Sequence, residues 1–231
     1  NKGFGNEFNK KNNNQNKDYL VEDIELSAQT KKAIFLAREG KLLESAKIYN
    51  ALIHKGKFNH LTFHRLAGIY ERLGKRKEAF QCLQKAINIK KNYAEAYCDI
   101  GRYLLDAKEI KSALNCYSKA LEYKPNLFGA YINIGNIYQK SGDLLEAMKY
   151  FQKSLEINNK IPITFYNIGT IYKIEKNFIE AERSYKSALE CDKNFNLAKI
   201  GLLEIYLDTF NIKSIKKFKN YISNAGLYEE D

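Results

Sequence analysis

Turn-forming residues are scarce in this sequence. Only two of its 231 residues are proline and 13 are glycine, which argues against a loop-rich all-β fold. Long apolar runs are also missing, so no segment of the sequence is suited to span a membrane. The composition is 45% hydrophobic and 28% charged. It excludes a wholly disordered chain and is typical of a folded protein.

The four cysteines, at positions 82, 98, 116 and 191, form no CxxC pair and are not densely spaced. This pattern favours reduced thiols, and therefore a cytoplasmic or nuclear protein. Because the first residue is Asn and not Met, we expect the sequence to be a segment of a longer protein.

The formal net charge is +11, and all of it lies in residues 26–93. Residues 26–59 contain seven Lys and Arg against two Glu, and residues 60–93 contain eight against two. Basic side chains near the turns of these segments predict a basic ridge along one edge. It could hold an acidic protein or a polyanion, or it could be a solvated edge of a lysine-rich chain. The predicted ridge consists of Lys55, Lys57, Lys75, Arg76, Lys77, Lys90 and Lys91.

From residue 26 onwards, the sequence repeats itself with a constant period through five units, without an insertion. Two columns of the repeat hold small residues, and a third column, four residues after the second, holds large ones. The first small column is Ala33, Ala67, Gly101, Gly135 and Gly169. The second small column is Ser45, Ala79, Ala113, Ala147 and Ala181. The large column is Tyr49, Leu83, Tyr117, Phe151 and Tyr185.

Each unit has the apolar spacing of two amphipathic helices. Tyr103 and Leu104 follow Ile100 at three- and four-residue steps on one helix, and helical spacing resumes at Ala113 after a short turn. Small residues in two columns let the two backbones approach closely, and the large residues fill the adjoining holes. One helix pair cannot bury its apolar face alone, so neighbouring pairs must stack.

The repeat resembles the tetratricopeptide repeat, whose pattern is an aromatic residue, Leu-Gly, Tyr, Ala, Phe, Ala and Pro. In residues 94–127 the matching residues are Tyr97, Ile100, Gly101, Leu104, Ala113, Tyr117, Ala120 and Pro125. The resemblance implies an all-α, right-handed superhelical solenoid of about five helix pairs and a degenerate sixth capping pair. The implied repeats are residues 26–59, 60–93, 94–127, 128–161 and 162–195.

Both ends of the chain differ from its repeated middle. Residues 1–25 begin with an Asn- and Lys-rich stretch without periodic apolar positions, and we expect this leader to be disordered. Residues 196–231 keep the register, but Leu203 and Ile215 replace the small residues of the two columns. One apolar and one lysine-rich face on the last helix predict a degenerate capping repeat, followed by a frayed tail.

No catalytic constellation is evident. His60 and His64 are four residues apart on one predicted helix, and Cys98 lies one repeat after His64. These three could hold a metal ion, but ordinary surface and groove positions explain them better. GxGxxG, P-loop and HExxH motifs are missing. We therefore predict no enzyme, catalytic residue, metal site, cofactor or small-molecule substrate in this segment, although a catalytic domain could lie elsewhere in a longer protein.

The resemblance implies that the first helix of each unit lines a concave groove. The implied groove residues change from mixed charge in the early units to apolar in the later ones. That composition favours an apolar peptide or a partner helix. Three asparagines could form hydrogen bonds with a peptide backbone, or could form hydrogen bonds between repeats instead: Asn133, Asn136 and Asn167. The predicted partner-binding residues are Ile132, Asn133, Asn136, Ile163, Tyr166, Asn167, Lys173 and Ile200.

One binding mode of the family is disfavoured. Repeats that hold acidic chaperone tails need Lys and Arg beside a pair of Asn residues, because two carboxylates need several charged donors. Asn136 and Asn167 could form that pair, but Ile132, Leu197 and Gly201 occupy the required basic positions. The sequence therefore argues against a carboxylate clamp.

Together, these patterns predict a protein–protein interaction scaffold or adaptor that binds a peptide segment or helix of a partner, in a multi-subunit complex or alone. One alternative is the substrate-docking arm of a larger enzyme such as a glycosyltransferase, which the three Asn residues permit. A second is unspecific binding of a polyanion or nucleic acid through the basic first two repeats. Aromatic and basic stacking platforms are not evident, so nucleic acid is not the expected partner.

Overall fold

The computed structural model describes residues 28–209, which form α-helices joined by short turns and contain no β-strand. No helix of this part of the chain is long and apolar enough to cross a membrane. The predicted leader, residues 1–25, and the second helix of the predicted capping pair lie outside the described residues. The helices are α1 (28–38), α2 (Leu42–His54), α3 (His60–Arg72), α4 (Arg76–Ile89), α5 (Ala94–Asp106), α6 (Ile110–Tyr123), α7 (Phe128–Ser141), α8 (Leu144–Ile157), α9 (Pro162–Ile174), α10 (Phe178–Cys191) and α11 (Asn196–Asp208).

The helices recur with a constant period. The odd-numbered helices from α3 to α11, which come first in their pairs, begin at residues 60, 94, 128, 162 and 196. The even-numbered helices from α2 to α10 begin at residues 42, 76, 110, 144 and 178. Both series advance by one constant step, which equals the period of the sequence columns. The expected all-α fold of repeated helix pairs is therefore confirmed.

The turn inside each pair ends the first helix in the same way five times. The backbone N–H of Lys75 donates to the carbonyl of Tyr70 at 2.8 Å, and equivalent bonds follow α1, α5, α7 and α9. This bond closes a left-handed helix terminus, which favours glycine. Gly40, Gly74 and Gly142 have positive φ there, but Lys108 (φ 64°) and Lys176 (φ 58°) occupy the same place in the other two turns.

The chain divides into two compact units, and the division falls within α5, between Ile100 and Gly101. In the first unit the core is built from large residues of both helices in each pair. Tyr49, Leu52, Leu66 and Leu83 are almost completely buried there. The small residues that the sequence places opposite them, including Ala67, are buried as well, because the helices can approach closely only where side chains are short.

In the second unit, a glycine on each of the first helices α5, α7 and α9 faces an aromatic ring of the following second helix. A Cβ atom placed on Gly101 would lie 2.7 Å from the ring of Tyr117, and one on Gly135 would lie 2.6 Å from the ring of Phe151. Both rings are completely buried. The residues of the small column and those of the large column therefore contact each other. The ring occupies the space that a side chain on the glycine would need.

The last such ring, Tyr185, is held from two sides. It faces Gly169 of its own pair at 2.6 Å and Gly201 of the next first helix, α11, at 2.7 Å, measured to a Cβ placed on each glycine. Gly201 lies two residues before Leu203, which interrupts the small column in the sequence. Leu203 is exposed, so α11 supplies its close approach to Tyr185 from a neighbouring helical position.

This packing predicts opposite effects for one substitution at two sites. Gly135→Ala forces a methyl group against the fully buried ring of Phe151, at a cost of about 1–3 kcal/mol. The gain in helix propensity, about 1 kcal/mol, offsets only part of that cost. We expect a lower unfolding temperature by circular dichroism.

The control for this experiment is Gly68→Ala in the middle of α3, where an added Cβ would have no neighbour within 4 Å. That variant should gain stability, by about 0.5–1 kcal/mol. A stabilised Gly135→Ala variant would contradict the ring–glycine contact.

Candidate protein-binding surface

In the second unit, the first helices α7, α9 and α11 lie side by side, because α9 contacts both of the others. Two polar contacts join them. The Nδ2 group of Asn167 on α9 donates to Oδ1 of Asn136 on α7 at 2.8 Å. Nζ of Lys173 on α9 lies 2.6 Å from Oε2 of Glu204 on α11. In both contacts the partners are 31 residues apart, so neighbouring first helices pair with an offset of one helical turn.

Asn136 and Asn167 form a hydrogen bond between repeats. This is one of the two roles that the sequence allows for them. Asn167 is only 7% exposed, and a buried amide needs such a partner. The bond uses the oxygen of Asn136, and the half-buried Asn136 keeps its NH₂ group as a donor. Asn133, one repeat before Asn167, is half-buried. A partner therefore meets Asn136 more readily than Asn167.

The charges on this surface neutralise each other. Lys173 and Glu204 form an ion pair whose side chains remain partly accessible to water. The hydrogen bond from Lys173 to Glu204 is the main cause that raises the pKa of Lys173, so the ammonium group stays charged at neutral pH. The sequence places both Lys173 and Glu204 at implied groove positions, but it does not indicate that they pair with each other. The one-turn offset between first helices could have indicated this pair.

Apolar side chains dominate the exposed part of the surface. Helix α11 buries one apolar face, which includes Ala198, Leu202 and Ile205. Its other face is exposed to water and carries Leu197, Ile200, Leu203 and Leu207 together with the acidic residues Glu204 and Asp208. We define the apolar face of the second unit as Ile174 on α9 together with Leu197, Ile200 and Leu207 on α11, each more than 40% exposed.

The other apolar residues predicted to bind a partner lie deeper in the fold. Ile132 is only 9% exposed and packs in a core cluster with Phe151 and Ile171. Ile163 is half-buried against the same cluster. Tyr166 is half-buried, with its ring centroid 5.7 Å from that of Tyr185. Ile132 is therefore a core residue, and Ile200 is the predicted apolar residue that is most accessible to a partner.

One histidine of the first unit, His64, is hydrogen-bonded through both of its ring nitrogens. Nε2 of His64 lies 2.8 Å from Oδ2 of Asp99, and its Nδ1 lies 2.7 Å from the hydroxyl of Tyr93. Burial is the main cause that raises the pKa of Tyr93 to about 12, so the phenol remains protonated at neutral pH. Both His64 nitrogens are thus engaged in linking α3 to α5. Within residues 28–209 no three His, Cys, Asp or Glu side chains are arranged to hold a metal ion.

The basic residues of the first unit lie at two opposite ends of its helices. Lys75, Arg76 and Lys77 lie at the turn from α3 to α4, whereas Lys90 and Lys91 follow the other end of α4. A helix of 14 residues is about 20 Å long. Lys55 and Lys57 follow α2 at the same end as Lys90, because consecutive helices run in opposite directions. The structure therefore brings together four of the seven residues of the predicted ridge and separates the other three from them.

Comparison with known proteins agrees with the repeated helix pairs. Sequence models of the tetratricopeptide repeat match residues 62–93, 101–142 and 126–194, and together they cover just over half of the chain. No curated protein sequence matches this chain.

Three solved structures illustrate the similarity in fold. PilF of Pseudomonas aeruginosa has a TM-score of 0.74 at 14% identity, over 88% of this chain and 93% of that one. PilW, described as a type IV pilus biogenesis factor, has a TM-score of 0.74 at 18% identity, over 89% and 95%. MamA has a TM-score of 0.58 at 22% identity, over 70% and 94%.

The constant period of the helix pairs, the glycine–ring contacts and the sequence matches lead to one conclusion. The chain belongs to the tetratricopeptide repeat family.

Proposed function

We propose that this protein is a non-catalytic interaction scaffold or adaptor, which binds the apolar side of a partner helix on the apolar face of its second unit. One observation carries the proposal: Leu197, Ile200 and Leu207 are exposed at helical spacing along α11. They span about 15 Å, the length of three turns of a partner helix. An amphipathic helix presents apolar side chains at the same spacing.

The composition of α11 supports this choice. A helix that is apolar on all sides normally has neighbours on all sides. Here the face towards α9 and α10 is buried, but Ile200 is 53% exposed and Leu207 is 52% exposed. Covering such side chains releases roughly 25 cal/mol for each Å² removed from water, which supplies the driving force for a partner helix.

The polar groups beside the apolar face favour a partner that carries little charge there. Lys173 and Glu204 satisfy each other, so a partner that is uncharged there leaves both of these charges paired. Asn136 offers its NH₂ group one helix away. A carbonyl at the end of a partner helix, which lacks an intrahelical donor, is a suitable acceptor for that group.

The proposal predicts that charge on the apolar face abolishes partner binding without unfolding the protein. In the variant Ile200→Glu/Leu207→Glu, docking would bury two carboxylates without partners, which is strongly unfavourable. The measurement is affinity purification with quantitative mass spectrometry, and proteins recovered with the wild-type chain should be depleted at least roughly tenfold. Because both side chains are exposed, the unfolding temperature should change little.

The matched control carries the same two charges on second helices, as Leu145→Glu/Ile179→Glu. These side chains are 70% and 75% exposed and lie away from the apolar face. The control should keep the wild-type partners. If Ile200→Glu/Leu207→Glu also keeps them, the partner binds elsewhere. Ile132→Glu is unsuitable for this purpose, because it would place a charge in the core.

A second prediction concerns acidic tails. A peptide with several Glu residues and a free C-terminal carboxylate should show no saturable binding in fluorescence anisotropy, because Ile132, Leu197 and Gly201 offer no cation and Lys173 is paired with Glu204. Saturable binding in the micromolar range, lost in Lys173→Gln, would show that the chain does hold carboxylates.

A further inference from the structure

Among the described residues of the first unit, charge is distributed unequally between the two ends of the helices. One end contains the turns α2–α3 and α4–α5, where Lys55, Lys57, Lys90 and Lys91 lie. Glu95, in the first turn of α5, is the one carboxylate in those turns or in the helical turns beside them. Four lysines therefore face a single acidic residue.

The opposite end of the same helices is mixed in charge. It contains the turns α1–α2 and α3–α4, with as many as four carboxylates among the basic residues. The acidic residues there are Glu39, Glu44, Glu71 and Glu78, and the basic ones are Arg38, Lys41, Arg72, Lys75, Arg76 and Lys77. Six cations against four carboxylates leave a net charge of +2 there, whereas four lysines against Glu95 leave +3 at the other end. An anionic surface would therefore meet four carboxylates at the mixed-charge end and only one at the lysine-rich end.

The lysine-rich end also exposes two large apolar side chains. Phe58 follows Lys57 and is 42% exposed, and Ile89 precedes Lys90 and is 46% exposed. Lysines thus stand directly beside each exposed apolar residue. We define the basic edge as Lys55, Lys57, Lys90 and Lys91 together with Phe58 and Ile89.

Contacts beneath the basic edge join its two turns into one patch. The ring of Phe58 packs edge-on against Phe63 of α3, with their centroids 5.3 Å apart. Nζ of Lys85 on α4 lies 5.6 Å from the Phe63 ring, and Lys85 is one helical turn before Ile89. On the other side, Lys90 lies 5.7 Å from the ring of Tyr93. Phe58 and Ile89 therefore belong to one surface rather than to two separate turns.

We propose that the basic edge docks on an anionic lipid surface. Lysines near a negatively charged leaflet are attracted to its headgroups, and their long side chains can reach the headgroups while apolar neighbours enter the acyl boundary. Phe58 and Ile89 are placed for that insertion. Phe58 lies in a turn and Ile89 at the end of a helix. A bilayer can receive such side chains, because insertion into lipid needs no matching pocket.

Other anionic partners fit this combination less well. Nucleic acid would use the lysines and could stack one base on Phe58, but it would leave Ile89 unused, because stacking on a base requires an aromatic face. A folded protein would need pockets for Phe58 and Ile89 at its own interface. The lipid surface uses both the charge and the apolar side chains, and it does not depend on the apolar face of the second unit.

Vesicle binding of the full chain tests the proposal. The probes are vesicles of phosphatidylcholine alone and vesicles that also contain phosphatidylserine, compared by co-sedimentation at low salt. We expect binding to the anionic vesicles at least roughly tenfold stronger than to the neutral ones, and weaker binding as salt is added. No binding to anionic vesicles at low salt overturns the proposal.

Two variants with equal charge change locate the surface. Lys90→Glu/Lys91→Glu should weaken vesicle binding by about tenfold or more. When the two variants are compared at about 0.1 M salt, where the screening length is about 10 Å, Lys75→Glu/Lys77→Glu at the mixed-charge end should weaken binding by less than about threefold. Equal losses in the two variants would mean that net charge alone attracts the chain, and the basic edge would have no special role.

Insertion can be observed separately, because the sequence contains no tryptophan. Ile89→Trp introduces a single indole at the basic edge, and its fluorescence should shift to shorter wavelength on anionic vesicles. Ile179→Trp, on the second unit, serves as the control and should not shift. Vesicle binding without a shift at position 89 contradicts insertion. Tighter binding to an RNA homopolymer than to vesicles would replace the lipid with nucleic acid as the partner.

Discussion

The contact between a glycine and an aromatic ring is the constraint on which the second unit depends. Each helix pair closes because a backbone without a side chain faces a fully buried ring, as Gly135 faces Phe151. The ring fixes how closely the two helices approach, and the approach determines which residues of the first helix point outwards. The position of α11 follows from the same packing, since Gly201 meets the ring of Tyr185.

Most of the fold could be predicted from the sequence. Small and large columns with one period determine helix pairs, and the helices begin at that same interval throughout. The exposure of individual side chains could not be predicted with the same success. Ile132 and Ile200 are both apolar residues at implied groove positions, yet the first is buried and the second is exposed. The difference depends on which neighbouring helices cover each residue, and a column in a sequence does not contain that information.

The arrangement of the basic residues shows a second limit of sequence reasoning. Turns recur along the sequence every half repeat, but successive turns alternate between the two ends of the helices. The sequence interpretation placed Lys75 and Lys90 on one edge, whereas the antiparallel direction of neighbouring helices separates them by the length of α4. Helix direction had to be considered together with turn position. The pairing of Lys173 with Glu204 was missed for a related reason, since it depends on the one-turn offset between first helices.

The left-handed lysines in two of the turns give the repeats unequal local stability. Lys108 and Lys176 adopt the backbone conformation that Gly40, Gly74 and Gly142 adopt in the other turns. A residue with a side chain is less stable in that conformation by about 1–2 kcal/mol. Local opening therefore requires less free energy at the turns after α5 and α9 than at the glycine turns. Among these five turns, amide hydrogen exchange and proteolytic nicking will be fastest at these two, although all five have the same hydrogen bonds.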